Sequence, residues 1–231
     1  MTLSIIIPCF NESLSIKTLI KKCLNILDKD IEILIVDNGS TDDTFEILKN
    51  SNLPANIIPI KIEKNIGYGN GIIKGLEVAR GIVLSWTHAD LQTDPKDVID
   101  AFKKHKDSII EKRCIVKGRR INRNIIDSFF TFGMSIYCYL ILGIWINDIN
   151  AQPKIFHSSF LSKFNSPPKD FSLDLYVLYY FKINMIGVKT YPVFFNKRKY
   201  GEAKGGGNLF GKIKLIKRTF IYINELRKKI K

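Results

Sequence analysis

Four short, almost uninterrupted apolar runs occupy the first 90 residues, and each ends in polar residues followed by a stretch with helical spacing. They are LSIIIPC (3–9), IEILIVD (31–37), NIIPIKI (56–62) and IVLSWTHAD (82–90). A run that is apolar at consecutive positions has no face to give to water, so it reads as a strand covered on both sides. Both faces are covered when crossover helices connect parallel strands. The pattern therefore predicts an α/β fold: a mainly parallel, Rossmann-like sheet with helices on both faces. The first expected helix begins near Ser13 and reaches about Leu27, with Leu14, Leu19, Leu24 and Leu27 on its inner side. A short helix capped by Ser40 or Thr41 runs to about Lys49. A third grows from the Gly-rich segment 65–81, and a fourth follows Pro95, which suits a first helical turn.

The second half is less regular. RCIVKGRR (113–120) reads as a strand, NAQPKIF (150–156) as a turn and short strand, and 171–183 as a helix. The stretch 187–195 is a strand whose Pro192 suits a sheet edge. Gly205, Gly206 and Gly207 mark a break, and a basic amphipathic helix is expected from Leu209 onward. The expected organisation is a catalytic domain over 1–204 with an appended helix over 205–231. Between these parts, residues 125–146 hold one charge, Asp127. That segment can span a membrane, pack on the sheet or lie along a membrane surface. Spanning would put the two ends of the chain on opposite sides of the membrane.

Charge narrows the partners. Of the net +14, residues 197–231 supply +10, from twelve basic residues against Glu202 and Glu225. Such a tail suits anionic lipid, a phosphorylated substrate or nucleic acid. No nucleic-acid recognition motif is present and the strand ends are acidic, so no nucleic-acid partner is expected. The four cysteines, Cys9, Cys23, Cys114 and Cys138, form no CxxC pair and read as free structural thiols, which suits a reducing cytoplasm. The uncharged N-terminus MTLSIIIPCF gives no sign of a signal peptide.

Ligands of open α/β sheets bind beyond the carboxyl ends of the strands. Those ends carry Asn11 and Glu12, Asp37 and Asn38, and His88 and Asp90. A carboxylate at Asp90 suits Mg2+ or Mn2+ held together with substrate phosphates, where the ion offsets charge on a leaving diphosphate. His88 is a second candidate ligand, better suited to Mn2+ than Mg2+, or else a hydrogen-bonded residue that shapes the loop. GYGNG (67–71) is neither a dinucleotide fingerprint nor a P-loop.

In order and spacing, SIIIPCFNE (4–12), ILIVDNGSTDDT (33–44), NIGYGNGIIKGLEVARG (65–81) and HADLQTDP (88–95) resemble the family 2 inverting glycosyltransferases of GT-A fold. With VKGRR (116–120), DINAQPKIF (148–156) and RKYGEAK (198–204), the likeness is to the dolichyl-phosphate mannose synthase and polyprenyl-phosphate sugar transferase group. The resemblance implies a nucleotide-sugar donor and a Mg2+ or Mn2+ cofactor. It implies a polyprenyl-phosphate or lipid-linked glycan acceptor at the cytoplasmic, inner face of the cell membrane. Pro8, Glu12 and Asp37 match nucleotide-holding positions, and Asn38 beside them at the strand end is a further candidate for that site. Asp90 matches the metal-binding acid of the DxD motif, and Gln92 a position beside the metal and diphosphate. Arg120, Arg198 and Lys204 match phosphate-contacting basic residues. Gln152 and Lys154 stand in the acceptor-side loop, where relatives more often read DxxSGFR. The family usually has Asp where this chain has His88, which leaves the site one negative charge lighter.

A lipid phosphate attacks without help, whereas a sugar hydroxyl needs a general base, for which Asp174 is the candidate. Its other reading is a solvent-facing helix residue. Three further readings come with this one: transfer to a soluble sugar, a non-catalytic glycosyltransferase-like partner protein, and a nucleotidyltransferase. The last wants a Gly-rich basic loop after the first strand, where this chain has CFNESLS.

Overall fold

The computed structural model describes residues 1–122, 125–200 and 209–230. The strands are β1 (Leu3–Cys9), β2 (Ile31–Asn38), β3 (Ile57–Ile62), β4 (Val83–Trp86), β5 (Cys114–Ile121), β6 (Lys154–His157) and β7 (Gly187–Phe194). The helices are α1 (Ile16–Ile26), α2 (Thr44–Lys49), α3 (Tyr68–Val78), α4 (Lys96–Ile110), α5 (Ile125–Leu142), α6 (Leu173–Ile183) and α7 (Leu209–Ile230). All seven strands form one sheet in the order β3-β2-β1-β4-β6-β5-β7. β1 to β4 are mutually parallel, β6 runs antiparallel to β4 and β5, and β7 pairs parallel with β5.

The consecutive apolar residues serve two cores. Leu3, Ile5 and Ile7 of β1 face one cluster with Ile16, Leu19 and Cys23 of α1 and Val98 of α4. Ile6 faces the other, with Ile72 of α3, Leu178 of α6 and Ile223 of α7. The result is three layers, helix–sheet–helix, as the continuous runs require. Helix α3 lies close on the sheet because Gly75 has no side chain: a Cβ there would stand 2.5 Å from Cγ2 of Ile6. All four cysteines are free and buried.

Some boundaries differ from expectation. The buried stripe of α1 is Ile16, Leu19, Ile20 and Cys23, spaced i, i+3, i+4, i+7, while Leu14 and Leu24 are exposed. Neither Ser40 nor Thr41 caps α2, since both bond to Asn11 across the strand ends and α2 starts at Thr44. β4 ends at Trp86, so His88 and Asp90 lie on the loop beyond it. Among the described residues, no helix is long and apolar enough to cross a membrane. α5 instead packs against α7, with the Tyr137 and Phe220 rings meeting edge to face at 4.2 Å.

Candidate active site

The order β3-β2-β1-β4 reverses direction between β1 and β4, which opens a crevice beyond their carboxyl ends. Since β5 and β7 point the same way as β1 and β4, their ends reach the same edge. Six segments meet there: 8–12, 37–44, 87–93, 118–120, 151–154 and 195–198.

The loops after β1 and β2 are laced together. Asn11, at φ +54°, accepts from the Thr41 amide at 2.8 Å through Oδ1, and its own amide donates to Ser40 Oγ at 2.9 Å. The Glu12 amide donates to Thr44 Oγ1 at 2.8 Å, and Asp42 accepts from the Ser13 amide at 3.2 Å. This fixes Pro8, Glu12, Asp37 and Asn38 relative to one another. Asp37 accepts from the Ser40 amide, but among the described residues its buried Oδ2 has no partner, and neither has the buried Oδ1 of Asn38. Burial pushes the Asp37 carboxyl above its ordinary value. Two adjacent acceptors lacking donors suit a ligand that brings N–H or O–H groups, as a base and ribose do.

The loop after β4 is tied to the end of the sheet. Asp90 Oδ1 accepts from the Gln92 amide at 3.1 Å. Gln92 in turn pairs with Asn196 twice, through Nε2 to the Asn196 carbonyl at 3.1 Å and from the Asn196 amide to its own carbonyl at 2.8 Å. That pairing carries Arg198 into the crevice. Its guanidinium bonds to Glu12 Oε1 and stands 3.7 Å from Asp90 Oδ2. Glu12, from the first strand end, and Asp90, from the fourth, are thus joined through a residue more than a hundred positions further on.

His88 packs against Tyr68, ring centroids 5.7 Å apart, and Tyr68 stacks on Phe171 at 4.6 Å. Burial pushes the His88 imidazole below its ordinary value, against the opposing pull of Asp90 and Asp174. A neutral imidazole can ligate a metal. Among the described residues no group of three or more His, Cys, Asp or Glu side chains gathers as a metal site. Any ion held at Asp90 would therefore take most of its ligands from elsewhere, as Mg2+ and Mn2+ do when bound together with substrate phosphates.

Asp174 does not face solvent. It is fully buried at the start of α6 and receives Trp86 Nε1 at 3.1 Å, Gln152 Nε2 at 3.0 Å and Lys154 Nζ at 3.1 Å. These bonds, most of them on one carboxylate oxygen, tie the start of α6 to β4 and to the turn before β6. Gln152 also donates to the Tyr68 hydroxyl at 3.1 Å, which links this anchor to the His88 wall. Arg120 is held by Asp148, through its amide at 2.9 Å and its Nε at 2.8 Å, and lies over the Phe195 ring at 5.1 Å. Although burial pushes the Asp148 carboxyl up, Arg120 holds it below the usual carboxylate value. Lys204 lies outside the described residues.

Sequence reasoning missed Tyr68, Trp86 and Lys117. Lys117 sits opposite Lys154 across the β5–β6 pair, and both are buried. A lysine inside the apolar run CIVKG was the available signal, since alternation puts it on the face of Ile115.

The family model described as Glycosyl transferase family 2 matches residues 4–141. The chain is 28% identical over 177 residues to a dodecaprenyl-phosphate galacturonate synthase of Rhizobium johnstonii, covering 71% of this chain and 50% of that protein. It is 32% identical over 100 residues to an undecaprenyl-phosphate 4-deoxy-4-formamido-L-arabinose transferase of Enterobacter sp., covering 41% and 31%. The chain thus spans half or less of the length of these curated relatives. Among solved structures, glucosyl-3-phosphoglycerate synthase from Mycobacterium tuberculosis, in complex with Mn2+, UDP and glucosyl-3-phosphoglycerate, superposes with a TM-score of 0.72 at 16% identity. That match covers 98% of this chain and 79% of the other. S. aureus TarS 1-349 superposes with a TM-score of 0.59 at 20% identity, covering 85% and 60%. The fold is GT-A, and the chain belongs to glycosyl transferase family 2.

Proposed function

We propose that this chain transfers a sugar, with inversion, from a nucleotide-diphosphate sugar to a polyprenyl phosphate or lipid-linked glycan at the inner face of the cell membrane. The observation that carries the reading is the meeting of Glu12, Asp90 and Arg198 at the switch point of the sheet. Pro8, Asp37 and Asn38 hold the base and ribose, whose donor groups suit the buried, unpaired acceptors of Asp37 and Asn38. Asp90, with His88 beside it, holds Mg2+ or Mn2+ against the diphosphate. The ion, when bound, offsets charge on the leaving group. Gln92 fixes the Asp90 loop to the segment that carries Arg198. Arg198 and Arg120 add positive charge where the diphosphate and the acceptor phosphate gather, and we assign Lys204 the same task. Asp174, with Gln152 and Lys154, anchors the wall formed by Tyr68 and His88.

An acceptor phosphate is already ionised at neutral pH and needs no base to attack. The full burial of Asp174, with its bonds to Trp86, Gln152 and Lys154, supports that acceptor over a sugar hydroxyl. The relatives named for dodecaprenyl and undecaprenyl phosphate support it independently. The membrane location is supported by the outward side of α5, where Phe129 is 72% and Leu140 70% exposed.

The test is turnover of a panel of nucleotide-sugars with membrane lipid extract, products being read by mass spectrometry. Asp90→Asn is expected to lower turnover by about 100-fold or more while leaving the circular dichroism spectrum and melting temperature unchanged. Near-wild-type turnover in that variant would sink the reading.

A further inference from the structure

The position of Arg198 has a consequence for how the site fills. Its guanidinium is bonded to Glu12 and lies 3.7 Å from Asp90, and all three side chains are largely shielded from water. Two contacts hold it there. Its Nε donates to the Tyr200 carbonyl at 2.6 Å, and the pairing of Asn196 with Gln92 fixes the backbone just before it. Glu12 is itself braced by Ser15 Oγ at 2.8 Å. The acid that would hold a divalent ion thus already has a cation against it, built in from the far end of the domain.

We propose that Arg198 is a built-in counter-ion of Glu12 and Asp90 and makes divalent metal binding depend on the donor's diphosphate. This inference rests on Asp90 being a metal ligand. With Arg198 in place, Glu12, Asp90 and Arg198 sum to one negative charge. A free divalent ion approaching Asp90 meets the guanidinium at close range, in a setting where water screens little. Pushing Arg198 aside would strip Glu12 of its partner and leave a shielded carboxylate unpaired. A diphosphate removes both obstacles. Its oxygens complete the metal's shell and offer Arg198 a second anionic partner. Metal and nucleotide therefore enter as a coupled pair, and the metal alone binds poorly.

The experiment measures Mn2+ affinity by water-proton relaxation on the full chain, with and without UDP as the nucleoside diphosphate probe. In the wild type, UDP is expected to tighten Mn2+ binding roughly tenfold or more, within the usual range for coupled sites. Arg198→Met is expected to tighten binding of Mn2+ alone roughly tenfold and to shrink the UDP effect. Arg198→Lys, which keeps the charge, is expected to stay near the wild type. Mn2+ binding alone that is equally weak in Arg198→Met and wild type overturns the counter-ion role. Asp90→Asn separates the two claims. Loss of UDP-dependent Mn2+ binding in it upholds the metal site whatever Arg198 does, whereas unchanged binding removes the metal site and the counter-ion role together.

Discussion

Lys117 and Lys154 oppose each other across β5 and β6, both out of water. Lys154 has the Asp174 carboxylate at 3.1 Å, whereas Lys117 donates to the Gly118 carbonyl at 2.9 Å. Burial, then the charge on Lys154, pushes the Lys117 ammonium down to about 7. The sign of the linkage follows from that depression. Below pH 7 the group is charged in both folded and unfolded chains, and the fold bears the full cost of burying the charge. Between about 7 and the free-lysine value of about 10.4, the unfolded chain binds the extra proton, so stability rises with pH. Lys117→Met removes the buried charge while keeping the volume. It is expected to raise the unfolding free energy by about 1–4 kcal/mol near pH 6.5, with the gain shrinking toward pH 10. Urea titrations at both pH values check this, and a gain that does not depend on pH would show that the charge is not the cause.

At the scale of elements, the site depends on how closely β5 meets the turn before β6. The Gly118 amide donates to the Pro153 carbonyl at 2.8 Å, and a Cβ on Gly118 would lie 1.9 Å from the Gln152 carbonyl oxygen. Backbone cannot rotate away as a side chain can, so Gly118→Ala has to part the two segments. It is expected to cost about 3 kcal/mol and to loosen Gln152 from Asp174 and Tyr68. The checks are chemical denaturation and a fall in transfer larger than the loss of folded protein. Unchanged stability would mean that the turn yields freely. Gly75 makes a comparable approach toward Ile6, but against a side chain that can shift.

Over the whole molecule, charge and apolar surface combine. α5 puts Met134, Tyr137, Cys138 and Ile141 into the core, while Phe129, Phe132, Ile136, Tyr139 and Leu140 lie exposed along the other side beside Trp145. A helix that is apolar all round normally has both sides covered. α7, packed beside it, exposes Lys214, Lys217, Arg227 and Lys228. On the proposed membrane location, the chain is expected to co-sediment with phosphatidylglycerol vesicles at low salt, less at high salt and less with phosphatidylcholine alone. Replacing Phe129, Phe132 and Leu140 together by Ser is expected to lower that binding tenfold or more, since each buried side chain contributes about 1.5–3 kcal/mol. Absence of binding at low salt would refute the membrane location.

Much of this was legible before any coordinates. Continuous apolar runs can be satisfied only between two helical layers, so the parallel sheet and its polar edge followed from local pattern, as did Glu12, Asp37 and Asp90 as its acids. Patterns of that kind hold within a dozen residues and carry no information on distant partners. Three features depended on that longer range. The reversal of strand order between β1 and β4, set by packing, created the crevice. The pairing of Gln92 with Asn196 brought Arg198 between Glu12 and Asp90. The register of β5 on β6, with α6 above it, buried Asp174 among Trp86, Gln152 and Lys154, where sequence left open a solvent-facing residue. Sequence by itself determined which residue types stand at the working edge. Tertiary structure alone decided which of them touch, because ion pairs and buried hydrogen bonds act over a few ångströms of space whatever the separation along the chain.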